Sequence, residues 1–249
     1  MISQELNDRL TRVGAGTPMG EMLRRYWHPI GALQELLTEP VQPVRILAED
    51  LTLFRTLKGE LGLIAKACAH RAISLAYGIP QENGLRCAYH GWTYNTEGKV
   101  IDMPFEPACL PLKVKSYAVE ELGGLIWAYL GPEPAPLLPR WDIFVGDNVF
   151  RQVGTTIVDC NWLQCQENSL DPVHNEWLHA YLGNYVRNGK HELPAGRGKH
   201  LKIAFDIFER GVIKRRVEEG FTEEDDDWKH GHPALFPNIL HSGSEGRCT

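Results

Sequence analysis

The sequence predicts an α+β chain in two parts: an antiparallel, all-β domain, then a second domain that combines helices with a sheet. Three observations predict it. Residues 44–130 break into short runs of β-branched, aromatic and aliphatic residues separated by turn signals. Pro132, Pro134, Pro136 and Pro139 then form a stiff connector. Beyond it, helical stretches are followed by a hairpin pattern. The expected divisions are an N-terminal helical arm at 1–43, the β domain at 44–131 and the second domain at 140–249.

In the arm, Thr17 is placed to cap a helix with Pro18 in its first position, running over 19–27. Arg24 and Arg25 are expected to face water. Trp27-His28-Pro29 ends the helix, and His28 reads as structural because no partner lies near it in sequence. Strands are expected at 44–47, 51–55 and 61–65, with a turn at Lys58-Gly59-Glu60. Asn83-Gly84 is a hairpin turn signal. Residues 93–95 and 99–101 flank a turn at Glu97-Gly98, and strands at 117–119 and 125–130 finish the set. The second domain is expected to open with a strand at 149–158. A helical stretch follows from 161 towards 169, then a helix starting at Asp171-Pro172 and capped at Gly183-Asn184. Residues 201–208 and 212–217 make a hairpin around Arg210-Gly211, the acidic run 223–227 reads as a solvated loop, and 236–240 as a further strand.

The chain has 249 residues and a net charge of −6, with no basic run, so neither nucleic acid nor an anionic membrane surface is expected as a partner. No long apolar run exists and Met1-Ile2-Ser3-Gln4-Glu5 is not a signal peptide, which predicts a cytoplasmic protein. Six cysteines in a chain of this size are not a disulfide framework. Cys109, Cys160 and Cys165 are expected as small buried hydrophobes and Cys248 as a free thiol in a polar tail.

The stretch between Cys68 and His90 carries chemistry. Cys68-Ala69-His70-Arg71 and Cys87-Ala88-Tyr89-His90-Gly91-Trp92 each offer one thiol and one imidazole, as C-x-H and C-x2-H. Two Cys and two His suit a [2Fe–2S] cluster in which imidazoles replace thiolates on one iron and raise its reduction potential. A structural zinc site uses the same ligand types, but its loops more often pair like with like.

This pattern resembles the Rieske cluster motif, in the form found in oxygenases. Respiratory Rieske proteins carry an extra Cys in each loop; Ile73 and Tyr89 stand near those places here. Their second loop ends in Gly-Ser, whereas Trp92 offers no hydroxyl, which implies fewer donors to the cluster and a lower potential. The resemblance implies that Cys68, His70, Cys87 and His90 ligate the cluster.

A second constellation is Asp171-Pro172-Val173-His174-Asn175-Glu176-Trp177-Leu178-His179. Two His near a carboxylate suggest the 2-His-1-carboxylate site of non-haem Fe(II) oxygenases. The spacing is one residue too long for the H-E-x-x-H of zincins, and no C-x-x-C exists for a nucleobase deaminase. An Asp before Pro is also a good N-cap. On an ideal α-helix, side chains five apart point roughly 140° apart. A π-bulge or an early helix end is therefore needed for His174 and His179 to meet one iron.

The stretch is similar to the catalytic motif of Rieske non-haem iron ring-hydroxylating oxygenases, and the arm from Thr17-Pro18-Met19-Gly20 to His28-Pro29 resembles the phthalate-dioxygenase-like branch. The resemblance implies His174 and His179 on a mononuclear Fe(II), and Asp171 as the bridge from a neighbouring subunit's cluster. It implies electrons from NADH through a reductase or ferredoxin, dioxygen and an aromatic substrate, a homotrimer, and a helix-grip catalytic domain. The family's third iron ligand is a late Asp, which this chain stops short of, so it is expected to be C-terminally truncated and to hold little mononuclear iron. Other classes are an electron-transfer protein that uses the cluster alone and a zinc-binding module. Substrate identity, and dihydroxylation against monooxygenation or O-demethylation, are left open by the sequence.

Overall fold

A computed structural model describes residues 2–194 and 198–241. The expectations for Cys248 and the tail 242–249 lie outside these residues. The chain divides into two compact units, Met1–Val158 and Asp159–Thr249.

The first unit begins with α1 (Gln4–Thr11), capped by Ser3, and α2 (Pro18–Leu23), where the Thr17 hydroxyl accepts from the Gly20 N–H at 3.2 Å. The arm is not purely helical. Trp27-His28-Pro29 opens a strand, β1 (Trp27–Ala32), and α3 (Leu33–Thr38) follows it. β1 is an edge strand, the place where a sheet tolerates Pro29. Next come β2 (Val41–Ile46), β3 (Glu49–Arg55), β4 (Leu61–Ala65), β5 (Ile79–Gln81), β6 (Gly84–Arg86), β7 (Thr93–Tyr94), β8 (Val100–Asp102), β9 (Ser116–Leu122) and β10 (Leu125–Tyr129).

Two antiparallel sheets result: a six-stranded one in the order β1-β10-β9-β4-β3-β2 and a four-stranded one in the order β5-β6-β7-β8. Phe54 and Ile64 of the large sheet share a core with Leu85 and Tyr94 of the small one. Cys68, Cys87 and Trp92 are buried in that same cluster. The expected antiparallel all-β domain is present. After the proline connector the chain turns back onto this unit: α4 (Asp142–Val145) places Phe144 edge-on to Trp127, with ring centres 5.2 Å apart.

Three expectations fail in this unit or at its end. Cys109, expected as a small buried hydrophobe, is exposed, with its thiol 3.3 Å from the Val100 carbonyl. Arg24 does not face water: it is 6% exposed and its guanidinium binds Glu49 at 2.8 Å and the carbonyls of Val13 and Leu47. The strand expected at 149–158 does not form. These residues pair with no neighbouring strand and stay exposed; apolar alternation alone gives no strand without a partner to hydrogen-bond. His28 is structural as expected, buried with Nε2 2.8 Å from the Leu23 carbonyl.

The second unit opens with α5 (Trp162–Leu170), whose cap, Asn161, accepts from the Leu163 and Gln164 N–H groups. A π-helix over Asn175–Leu182 runs directly into α6 (Gly183–Asn188). The cap expected at Gly183-Asn184 is therefore misplaced. Gly183 keeps right-handed helical angles, and Gly189 takes the left-handed conformation (φ 64°) that ends the helix. β11 (His200–Phe208) and β12 (Gly211–Glu218) form the expected hairpin. α7 (Asp226–Lys229), β13 (His232–Leu235) and β14 (Ile239–Leu240) complete a sheet in the order β11-β12-β13-β14. The acidic run is not merely solvated: Asp227 binds Arg216 at 2.8 Å and His232 at 3.2 Å. The hydrogen bond from His232 leads in lowering its carboxyl to about 2; burial opposes this, and Arg216 adds to it.

Candidate functional site

The four Cys and His side chains of the first motif meet at one end of the first unit. Cys68 follows β4 and lies in a tight loop, closed by Cys68 N–H to Ile73 O at 3.0 Å and Ala72 N–H to Cys68 O at 2.8 Å. Cys87 follows β6 in a second loop, closed by Cys87 N–H to Trp92 O at 2.8 Å and Gly91 N–H to Cys87 O at 3.1 Å. Gly91 has φ +79°, the left-handed conformation this closure requires, and a side chain there would press on Pro104. Arg86 braces the loop from below, bonding Asp102 at 2.9 Å.

Thiols and imidazoles are segregated. Cys68 and Cys87 are each 3% exposed, whereas His70 and His90 lie at the surface with ring centres 4.5 Å apart. Trp92 stacks on His70 at 4.8 Å and 10°, and Tyr89 covers His90 at 3.8 Å. Burial pushes the Cys87 thiol up, the N–H groups of Tyr89 and His90 pull it down, and the neighbouring Cys68 raises it again. A bound cation beside these two thiols would favour their thiolate forms. An inner thiolate pair and an outer imidazole pair fit a two-iron cluster better than a single ion, for which four ligands would converge on one point.

Tyr94, which the motif reading passed over, completes this end. Its hydroxyl lies 3.1 Å from Cys68 Sγ and accepts the Ala69 N–H at 3.0 Å. The ring is fully buried. A sequence signal existed: Tyr94 stands two residues beyond Trp92 on the strand leaving the loop, the spacing that returns a side chain to the same face.

In the second unit, the π-helix brings together residues that an α-helix would separate. Its i→i+5 hydrogen bonds stack positions five apart. His174, at its N-cap, and His179 have ring centres 5.1 Å apart at 70°. Asp171 caps the end of α5; its carboxylate accepts the Val173 N–H at 2.8 Å and lies 3.3 Å from His174 Nδ1. Burial pushes this carboxyl up, but the Val173 and His174 contacts outweigh it and hold it below the ordinary range.

The sheet fixes these helices from beneath. Glu176 Oε2 accepts the His200 backbone N–H at 2.9 Å and lies 3.0 Å from its Nδ1. Lys214, 4% exposed on β12, donates to the Ser169 carbonyl at 3.1 Å. Burial pushes its ammonium down, with Arg216 adding to this, while Asp171 and Asp227 oppose. Neither Glu176 nor Lys214 carries a sequence signal beyond its type.

Residues 26–118 match the family described as Rieske [2Fe-2S] domain. The chain is 45% identical over 250 residues to the 5,5'-dehydrodivanillate O-demethylase oxygenase subunit of Sphingobium sp., covering 98% of this chain and 58% of that one. It is 38% identical over 243 residues to the phthalate 4,5-dioxygenase oxygenase subunit of Pseudomonas putida, covering 90% and 55%. Among solved structures it is similar to NdmA of Pseudomonas putida CBB5, with a TM-score of 0.60 and 26% identity over 80% of this chain and 60% of that one. The chain thus spans less than two thirds of the length of these relatives.

Proposed function

We infer that this chain, which belongs to the Rieske-type oxygenase subunits, passes electrons from a reductase or ferredoxin to a mononuclear iron for O2-dependent hydroxylation or O-demethylation of an aromatic compound. Cys68, His70, Cys87 and His90 are the proposed cluster ligands, and His174 and His179 the proposed iron ligands. The proposed assembly is a trimer in the cytoplasm; no described helix is long and apolar enough to cross a membrane. When bound, the [2Fe–2S] cluster supplies one-electron transfer and the Fe(II) supplies dioxygen activation.

The chain's own residues prepare both places. With Cys68 as a thiolate ligand, the Tyr94 hydroxyl 3.1 Å from its Sγ would donate to it and stabilise added negative charge there. His70 and His90 present their rings at the surface, where an electron can leave for a neighbouring subunit. Asp171 takes a hydrogen bond from His174 Nδ1–H, which fixes the tautomer and leaves Nε2 free to ligate. With its carboxylate partly exposed, Asp171 also has acceptor capacity for an imidazole N–H from a partner subunit.

The observation that supports an oxygenase over a simple electron carrier is the pairing of His174 and His179 on a π-helix. A carrier has no use for it, and such bulges concentrate at functional sites. The test is NADH oxidation coupled to an aromatic substrate, with a reductase and the oxygenase subunit. Substrate-dependent NADH consumption with a hydroxylated or demethylated product is expected, and His174→Ala abolishes it while leaving cluster reduction intact. Equal NADH consumption and product in that variant would refute the assignment.

A further inference from the structure

Cys160 and Cys165, expected as buried hydrophobes, are both exposed, and their sulfurs lie 3.5 Å apart. Their meeting follows from the helix they flank. Asn161 is the N-cap of α5, so Cys160 occupies the position before the cap and Cys165 the fourth helical position. These are the two positions at which apolar side chains pack across a helix start and set the angle of the entering chain. Here both members of that contact are thiols. The N-cap bonds from Asn161 hold the backbone between them, and Trp162 packs edge-on to Phe236, so the turn is already formed.

We propose that Cys160 and Cys165 are a reversible dithiol–disulfide pair, oxidised by hydrogen peroxide and reduced by dithiols. The thiolate of one attacks peroxide; an S–O bond forms as the O–O bond breaks, giving a sulfenic acid and hydroxide. The second thiol then displaces that oxygen as water, and the S–S bond forms as the S–O bond breaks. In all, two thiols lose two electrons and two protons, and peroxide becomes two waters. The sulfurs need to close by roughly 1.5 Å to reach the ordinary S–S length of about 2.05 Å. Exposed side chains at a helix start make that movement by rotating about χ1. A pair this close also favours the disulfide over further oxidation, because the resolving thiol is already in place. The disulfide would tie down the start of α5, whose far end carries Asp171.

The test uses the 249-residue chain purified with reductant, desalted, and treated with hydrogen peroxide until the exposed Cys109 is oxidised. It is then alkylated and digested with trypsin. Cys160 and Cys165 fall in one peptide, 152–187. The expected product is that peptide two hydrogens lighter and carrying no alkyl group, returning to the doubly alkylated form after dithiothreitol. In Cys160→Ser the lighter species disappears and Cys165 is recovered as alkylated thiol or as oxygen adducts. If both thiols stay alkylatable while Cys109 is oxidised, or if each gains oxygen independently, the proposal is wrong. The readout needs neither cluster nor iron, so its failure is separate from any failure of the oxygenase reading.

Discussion

Tyr94 and Arg24 show how single buried side chains govern this chain. Tyr94→Phe removes the hydroxyl that faces Cys68 Sγ but keeps the ring that fills the core. The cluster should survive and its reduction potential should fall, because a donor to a ligand sulfur stabilises the more negative reduced state. Protein-film voltammetry of the two proteins tests this; an unchanged potential would mean the hydroxyl serves only the Ala69 N–H. Arg24 and Glu49 form a largely buried ion pair, with side chains 7% and 17% exposed. Arg24→Ala should cost about 1–3 kcal/mol, since it leaves the Val13 and Leu47 carbonyls without their donor while Glu49 keeps Lys115 and Tyr117. Burial pushes the Glu49 carboxyl up, but Lys115, Tyr117 and Arg24 together hold it below its ordinary 4.5. A carboxyl lowered in the fold stabilises above its unfolded pKa and loses that contribution as pH falls through the folded value. Urea midpoints should therefore drop below pH 4.5 more steeply in the parent than in Glu49→Gln. Arg24 was misread because charge alone predicts exposure, whereas its burial depends on carbonyls more than ten positions away and on Glu49.

The π-helix is the part of the second unit that sequence reasoning came nearest to deriving. Five-residue spacing of two imidazoles conflicts with α-helical geometry, and the structure resolves the conflict with i→i+5 bonds over Asn175–Leu182. Asp171 sits where α5 ends and the π-helix approaches, so it serves as a local cap as well as facing His174. Asp171→Asn keeps an acceptor for Val173 and His174 but loses the charge. In an assembled oxygenase it should retain both metals and slow reoxidation of the reduced cluster severely, as seen by stopped-flow absorbance under single turnover. An unchanged rate would reduce Asp171 to its capping role. The hairpin of β11 and β12 was legible from alternation around Arg210-Gly211. The strand expected at 149–158 was not real, because pairing is a property of two segments and the sequence displays only one. The helix end at Gly183 was misplaced for a related reason. Glycine marks a stop only where the chain turns left-handed, and that happens at Gly189.

The chain is assembled from two units with different bases of stability. The first closes two antiparallel sheets on one apolar core that includes both buried thiols, so a cluster held by them would couple its binding to folding there. The second rests on a four-stranded sheet whose buried polar groups, Lys214 and His200, hold the helices that carry Asp171, His174 and His179. Mixed Cys/His loops on an antiparallel β pattern made the first unit readable from sequence. In the second the helix from 161, the hairpin and the motif were readable, but not the contacts that hold them, because these join side chains tens of positions apart, as Lys214 with Ser169 and Gln166 with Pro237 do. The central claim is that Cys68, His70, Cys87 and His90 hold a Rieske [2Fe–2S] cluster. Electron paramagnetic resonance of anaerobically purified, dithionite-reduced protein tests it most directly, together with iron, sulfide and zinc analysis. A red-brown protein with equal iron and sulfide from the cluster and a Rieske-type signal, both lost in Cys68→Ser, is the predicted result. A colourless protein with stoichiometric zinc and no signal would contradict it.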